Sequence, residues 1–437
     1  DAAEREAERF ATAFAVGAPT PGLVTAGLQP AAAIHRYGLG EHHDIPTKYL
    51  LELQEFLGTP EGLAWAQKNH VDAADVAARM KTDPAALGKK LHGTFVNKAK
   101  EPGAKDQPTE FDYGDPTAMM GDLFGTWKKV RGVSQDDHDA LMKDGSTAEV
   151  QKLTKGEYLR LAMNNANHYA GLNKQQWRAM HEVAIQAARA ATTAEQREEA
   201  EFIEASGAHF LTDAFASGHQ FEKQVLLADI LGDLAARPFE TTNPELGTVV
   251  ASFGTTNLAQ MILKLIHDRM NAEGFDVEND RGMTWKTFGD GHLAQSPETQ
   301  HVVALAVFES RQQVIAAEKR AVAPGEIDEI AKYMPNAKSM KAAEAQARRY
   351  IPEARSQVEG LIWRERASAP GEIGDRMPGG AAGKLFGKGV GKILEKRIDS
   401  IADPGWEKQV LDDRAAKDAI GQRDAPTFDG GFTLKRF

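Results

Sequence analysis

Along most of the chain, apolar positions recur every three to four residues, the spacing that lines one face of an α-helix. The segments 47-TKYLLELQEFL-57, 60-PEGLAWAQKN-69, 155-KGEYLRLAMNNAN-167 and 174-KQQWRAMHEVAIQAARAA-191 carry this period. So do 194-AEQREEAEFIEASGAHFLTDAFA-216, 255-TTNLAQMILKLIHDRMNAEG-274, 298-ETQHVVALAVFESRQQVIAAEKRA-321 and 338-KSMKAAEAQARRYI-351. Pro46, Pro60 and Pro297 fall near predicted helix starts, where a missing N–H costs little. One stretch alternates instead: 275-FDVENDRGMTWKTFGDG-291 reads as two short strands turning at Asp280, Arg281 and Gly282. The pattern predicts an all-α, multi-helical bundle with one small β-hairpin. No repeat is evident at periods of about 20 to 50 residues.

Breaks in the pattern divide the chain. The stretch 101-EPGAKDQPTEFDYGDP-116 reads as a polar Pro/Gly loop, and 322-VAPGE-326 and 369-APGEIGDRMPGGAAG-383 as further breaks. The expected organisation is a helical domain over 1–321 and a helical or irregular C-terminal extension over 322–437. Within that extension, 403–437 has little apolar periodicity.

Composition narrows the chemistry. With 42% apolar residues among 437, a substantial core is available. The net charge of −11 gives no global attraction to nucleic acid or anionic lipid. There is no cysteine, so a transition-metal site must be built from histidine and carboxylates. No apolar run approaches the roughly 20 residues of a membrane-spanning helix. The opening DAAEREAERF reads as a charged helical pattern and not as a signal peptide.

The stretch 209-HFLTDAFASGH-219 carries the strongest chemical signal. Four residues advance an α-helix by about 400°, so His209 and Asp213 share one face, a turn apart. Alone, that pair is as well explained by a hydrogen bond within a core. His219 lies about −80° around an unbroken helix from His209. It can share an ion with His209 only if the helix breaks, which Gly218 permits. Otherwise it serves a neighbouring ion. Upstream, 113-YGDPTAMMGDLFG-125 offers Asp115 and Asp122, and 164-NNANHYAG-171 offers His168. Asp122 is favoured over Asp115, because a carboxylate inside MMGDLF is costly to bury without a partner. His168 is favoured over His181, which sits in an ordinary continuing helix.

An HxxxDxxxxxH helix in a largely all-α chain resembles the zinc-dependent bacterial phospholipases C and the related single-strand-specific zinc nucleases. The resemblance covers the metal-binding core, about 111–293, and implies two or three zinc ions among helices in a phospholipase C-like bundle. It implies that His209 holds one ion, that Asp213 bridges two, and that His219 belongs to another. An upstream aspartate and histidine, here Asp122 and His168, would complete the ion at His209. The ion at His219 would take a further histidine, here His267, and a carboxylate four residues later. That position is Asn271, so the chain departs from the pattern, with Asp268 and Glu222 as weaker stand-ins. A third ion in that family uses an N-terminal tryptophan; here 35-HRYGLGEHHDIPTKY-49 offers His42 or His43 instead, with His35 before them. His70, His92, His138 and His301 read as surface or core residues, and His292 as a loop residue.

The implied activity is phosphoester hydrolysis by a zinc-bound hydroxide, with Asp122 or Asp115 orienting the attacking water. The acidic balance favours a phospholipid or other phosphodiester over a polynucleotide. The basic, apolar stretch 383-GKLFGKGVGKILEKRI-398 offers a membrane-surface contact, although its glycines weaken it as a helix. No obligate protein partner is evident, and the resemblance favours a secreted or periplasmic setting. The alternatives are a zinc nuclease of the same superfamily and a non-catalytic helical binding protein with an incomplete metal set.

Overall fold

A computed structural model of the chain describes residues 39–82, 95–97, 109–143, 150, 152–158, 161, 165–237 and 255–368. The chain divides into two compact units, 1–393 and 394–437, and every described residue lies in the first. The basic stretch 383–398, His35 and His92 lie outside the described residues.

The described chain is mostly helical, as its apolar period predicts. It opens with helical residues 39–44, a π-helical turn Ile45–Tyr49 and α1 (Leu50–Phe56), followed by α2 (Pro60–Lys68) and α3 (Ala73–Thr82). A short antiparallel pair follows, β1 (Phe95–Asn97) with β2 (Thr109–Phe111), then α4 (Gly114–Met119), α5 (Trp127–Arg131) and α6 (Gln135–Leu141). Next come a 3₁₀ turn Ala166–His168, α7 (Leu172–Ala190), α8 (Ala194–Asp213), a second 3₁₀ turn Ser217–His219 and α9 (Lys223–Ala236). The remainder is α10 (Thr255–Glu273), the hairpin β3 (Phe275–Glu278) and β4 (Thr284–Thr287), a 3₁₀ turn Leu293–Gln295, α11 (Pro297–Ala317), α12 (Pro324–Ala331) and α13 (Ala337–Ser368).

At the centre stands α8. A capping box closes its start: the Thr193 hydroxyl accepts from Gln196 N and the Gln196 side chain accepts from Thr193 N. From Phe202 to Asp213 every residue is buried, so α8 has no solvent face over three turns. That explains how a helix carrying Glu204, His209 and Asp213 is nonetheless a core element. It packs along α7 and α11, and α4 crosses it. Gly207 permits the close approach of α7, because a Cβ there would stand 2.9 Å from Met180 Cβ.

The β3–β4 hairpin matches its alternation, with Phe275, Val277, Trp285 and Thr287 buried. Its turn holds Gly282 at φ +77, a conformation that favours glycine. The stretch 101–116 differs from its expectation. Residues 109–111 form β2 and α4 starts at Gly114, with Thr109, Phe111 and Tyr113 buried. Three strand residues are too few to establish a period of two in the sequence. In the stretch after 321, α12 packs on α11, and α13 packs on α9, α10 and β3.

Candidate metal centre

The C-terminal turn of α8 carries His209 and Asp213, both 0% exposed. Asp213 Oδ2 lies 2.9 Å from His168 Nδ1 and 3.4 Å from His209 Nε2. Asp213 Oδ1 lies 3.0 Å from His219 Nδ1 and 3.4 Å from His42 Nε2. One buried carboxylate therefore faces four imidazoles, two on each oxygen. Neither oxygen has a hydrogen-bond partner in acceptable geometry, nor do His219 Nδ1 and His168 Nε2. Buried groups of this kind are costly unless something satisfies them.

The tautomers sharpen the point. His209 Nδ1 lies 2.9 Å from the Thr117 carbonyl, which can only accept, so Nδ1 carries the proton. The Thr212 hydroxyl donates to His209 O at 2.7 Å and must therefore accept from His42 Nδ1, 2.6 Å away. In their neutral form both rings present an unprotonated Nε2 to the Asp213 carboxylate. Burial holds His209 well below the ordinary histidine range, consistent with a neutral ring. Burial opposes charge on Asp213 as well, but His209, His219 and His168 outweigh it and hold the carboxyl ionised, well below its usual range. Lone pairs converging on a carboxylate, each ring fixed from behind by a carbonyl or hydroxyl, form a donor set for a cation.

The residues anticipated around this pair arrive on separate elements. His168 ends its 3₁₀ turn and is 1% exposed. Asp122 follows α4 on a loop that passes directly over the histidines. There Gly121 has φ +83, and a Cβ would stand 2.6 Å from His209 Nε2 and 2.7 Å from His168 Cε1. Asp122 groups with His42 and His209, their ligand atoms all within 4.8 Å of one another. Burial raises the Asp122 carboxyl, only partly offset by His168 and His42.

The helix break falls earlier than expected. α8 ends at Asp213, and Ala214–Ala216 turn the chain into the 3₁₀ turn that carries His219. Gly218 serves close approach instead, since a Cβ there would stand 2.4 Å from Asn271 Oδ1. The turn aims His219 Nδ1 at Asp213, while its Nε2 lies 3.9 Å from Asp290 Oδ2. His267, on α10, places Nε2 3.4 Å from that same oxygen. His219, His267 and Asp290 thus form a second group. Asp268 does not turn into it; it stands behind His267 Nδ1 at 3.1 Å and pairs with Lys264. Glu222 is exposed and outside the group. Burial disfavours a charged His267, but Asp268 and Asp290 outweigh it and push the ring up to about 9. The space between these carboxylates draws positive charge.

His43 and Asp115 stand in a group of their own with Asp112, their ligand atoms all within 4.8 Å of one another. As neighbours on a helix, His42 and His43 point about 100° apart. His43 Nε2 is hydrogen-bonded to Asp112 Oδ2 at 3.0 Å, and its Nδ1 to Asp44 Oδ1 at 3.3 Å. Asp115 Oδ2 accepts from Asp112 N at 2.7 Å and lies 3.2 Å from His138 Nε2. Despite burial, Asp112 and Asp44 push His43 up to about 10. His181, passed over in the sequence, belongs to a separate network with Glu204. His301 stacks on Phe56, centroids 3.9 Å apart, and His292 bonds Gln295.

Sequence reasoning missed Asp290. It lies in 289-GDGHL-293, the turn after β4, where no spacing relates it to a histidine. Comparison with known protein families, curated proteins and solved structures finds no match to this chain.

Proposed function

We propose that the chain is a zinc-dependent phosphoester hydrolase built on a phospholipase C-like helical bundle. The observation that carries this is the Asp213 carboxylate, fully buried, met by four imidazoles and left without hydrogen bonds. His168, His209 and Asp213 would hold one ion, with Asp122 grouped beside His209 and His42, and His219, His267 and Asp290 would hold a second. His42 and Asp213 Oδ1 would contribute to a third. A donor set of imidazoles and carboxylates, with no thiolate, suits zinc. Such ions, when bound, lower the pKa of water and neutralise the charge of a phosphodiester.

The protein's own residues do the positioning. The Thr117 carbonyl and Thr212 hydroxyl hold His209 and His42 in one tautomer. Asp122, on its loop beside His42 and His209, would orient the attacking water. Tyr169, packed 5.0 Å from the His219 ring and 5% exposed, helps wall the histidines from solvent. The substrate we favour is a phospholipid over a polynucleotide, because the net charge of −11 opposes a polyanion. The absence of a carboxylate at 271 favours a non-catalytic helical binding protein; Asp290, on the same histidines, answers that objection.

Three measurements test the proposal. Purified full-length chain should contain zinc by elemental analysis, and Asp213→Ala should abolish turnover of a chromogenic phosphodiester. Near-zero zinc with no gain on reconstitution, or unchanged turnover in the variant, would overturn the hydrolase. Parallel assays on phosphatidylcholine vesicles and single-stranded DNA decide the substrate, and cleavage of DNA alone would overturn the lipid.

A further inference from the structure

The second group of residues sets an amide on the helix against a carboxylate on a loop. His267 and Asn271 lie one turn apart on α10, so their side chains share a face. Asn271 Nδ2 stands 3.3 Å from His267 Nε2 and 3.3 Å from Asp290 Oδ2. The amide's orientation is set by the backbone. Gly218 N–H can only donate, and it meets Asn271 Oδ1 at 2.5 Å, so the NH₂ end must face His267 and Asp290. Asp290 then accepts from the amide, which stands beside His267 Nε2, while His267 Nδ1 is turned to Asp268. The head of residue 271 already occupies the space beside the histidine nitrogen where a carboxylate on that turn would sit.

The loop carrying Asp290 is shaped to this amide. Gly289 N donates to Asn271 O at 3.1 Å, and a Cβ at Gly289 would stand 1.6 Å from Asn271 Oδ1. Any side chain at 289 would push the loop off the helix. On its other flank, Glu41 accepts from Gly291 N at 2.8 Å and from Leu293 N at 3.0 Å. Glu41 immediately precedes His42, so one short helical segment both offers a ligand to the Asp213 group and clamps the loop that bears Asp290.

From this we infer that the carboxylate of the His219–His267 cation site is supplied by the loop after β4 and not by α10. Asp290 is the ligand, and Asn271 is a positioning residue that holds it. The inference rests on the metal centre proposed above. A charge-conserving arrangement results: one carboxylate faces the two histidines, where an aspartate at 271 beside Asp290 would place two. It also ties the second site to the first, because releasing Glu41 would release the loop.

A carboxylate swap tests this on the full chain, with zinc as the probe and bound equivalents counted by elemental analysis and calorimetric titration. Asp290→Asn should lose one zinc equivalent relative to the wild type. Asn271→Asp combined with Asp290→Asn should regain it, because the restored carboxylate stands beside His267 Nε2. Asn271→Ala should keep the count with second-site affinity weakened by about 10- to 100-fold, the usual effect of losing a group that orients a ligand. Both aspartate–asparagine exchanges preserve shape, and a thermal melt verifies folding. A full zinc count in Asp290→Asn, or a swap that folds without regaining the ion, overturns this inference alone. A wild type that binds no zinc overturns the hydrolase proposal with it.

Discussion

Two buried histidine–carboxylate clusters hang on α8, little more than two turns apart, and they are built on opposite principles. Around Glu204 everything closes. Glu204 accepts from His181 Nδ1 at 2.7 Å and from the Ser310 hydroxyl, and Trp177 Nε1 donates to Ser310 Oγ at 3.1 Å. His181 Nε2 lies 3.1 Å from Gln313 Oε1, an acceptor, so both ring nitrogens donate. Around Asp213 the network stays open: both carboxylate oxygens lack hydrogen bonds, and His209 and His42, held from behind at Nδ1, turn Nε2 toward them. Equal burial therefore has two meanings. A complete network joins three helices by itself, whereas an incomplete one leaves buried polar atoms at a cost that a partner from outside the chain could offset.

The largest effect should come from breaking the open cluster. Asp213→Asn keeps the shape but removes the charge that the four imidazoles share. Turnover of a phosphodiester should fall by at least about 10³-fold, about 4 kcal/mol of barrier. Chelation should lower the melting temperature of the wild type and leave that of Asp213→Asn unmoved, because only a bound ion stabilises by mass action. Equal shifts in both proteins would place the ion elsewhere.

The closed cluster should respond in stability instead. Glu204→Ala leaves His181 charged and 0% exposed without its counter-ion, which costs about 3–5 kcal/mol. Denaturant midpoints would record the loss while the zinc count stays at the wild-type value. Replacing both partners by apolar residues, His181→Leu with Glu204→Met, should cost far less, because no uncompensated charge remains. If Glu204→Ala instead emptied the metal centre, the two clusters would be one unit.

A smaller effect follows from pH. Burial disfavours charge on His181, but Glu204 outweighs it and raises the ring above its ordinary value of 6.5. A group raised on folding contributes stability that is full below its unfolded value and is lost as pH rises through its folded value. The stability gap between the wild type and the His181→Leu/Glu204→Met variant should thus narrow above neutrality, by about 1.4 kcal/mol per pH unit within that window. A gap that stays flat from mildly acidic to mildly alkaline buffer would mean that the ring is neutral.

The contrast also explains what the sequence could reveal. His209, Asp213 and His219 share one short stretch, so helical geometry alone relates them. Asp122 stood out because a carboxylate among MMGDLF contradicts its surroundings, and His168 because the resemblance asks for an upstream histidine and His181 sits in an ordinary continuing helix. Asp290 gave no such signal: its partners are on α10 and in the turn after α8, and only the folded loop brings them together. His42 and His43 are neighbours just before a π-helical turn, and a sequence period does not register which of them faces Asp213. His43 and Asp115 come together with Asp112 in a group apart from Asp213, an association that no helical spacing in the sequence announces. The helices of the core were legible because they are long and periodic, and β1 and β2 were not, because three residues make no pattern.

Two glycines give the finest version of the comparison. At Gly121, φ of +83 and histidine atoms within 2.7 Å of a built Cβ leave no room for a side chain. Gly121→Ala should cost about 1–2 kcal/mol in backbone strain, and should weaken zinc binding as the His168 and His209 rings are forced apart. Gly232 lies on α9, exposed, with nothing within 4 Å of a built Cβ. There a glycine only enlarges the conformational freedom of the unfolded chain. Gly232→Ala should therefore stabilise the protein by about 0.5–1 kcal/mol, read from the denaturant midpoint, with zinc count and turnover unchanged. The same substitution would then have opposite signs at the two positions. If both variants lost stability equally, the Gly121 effect would be a general cost of the change, and the tight passage over the histidines would have no role in shaping the site.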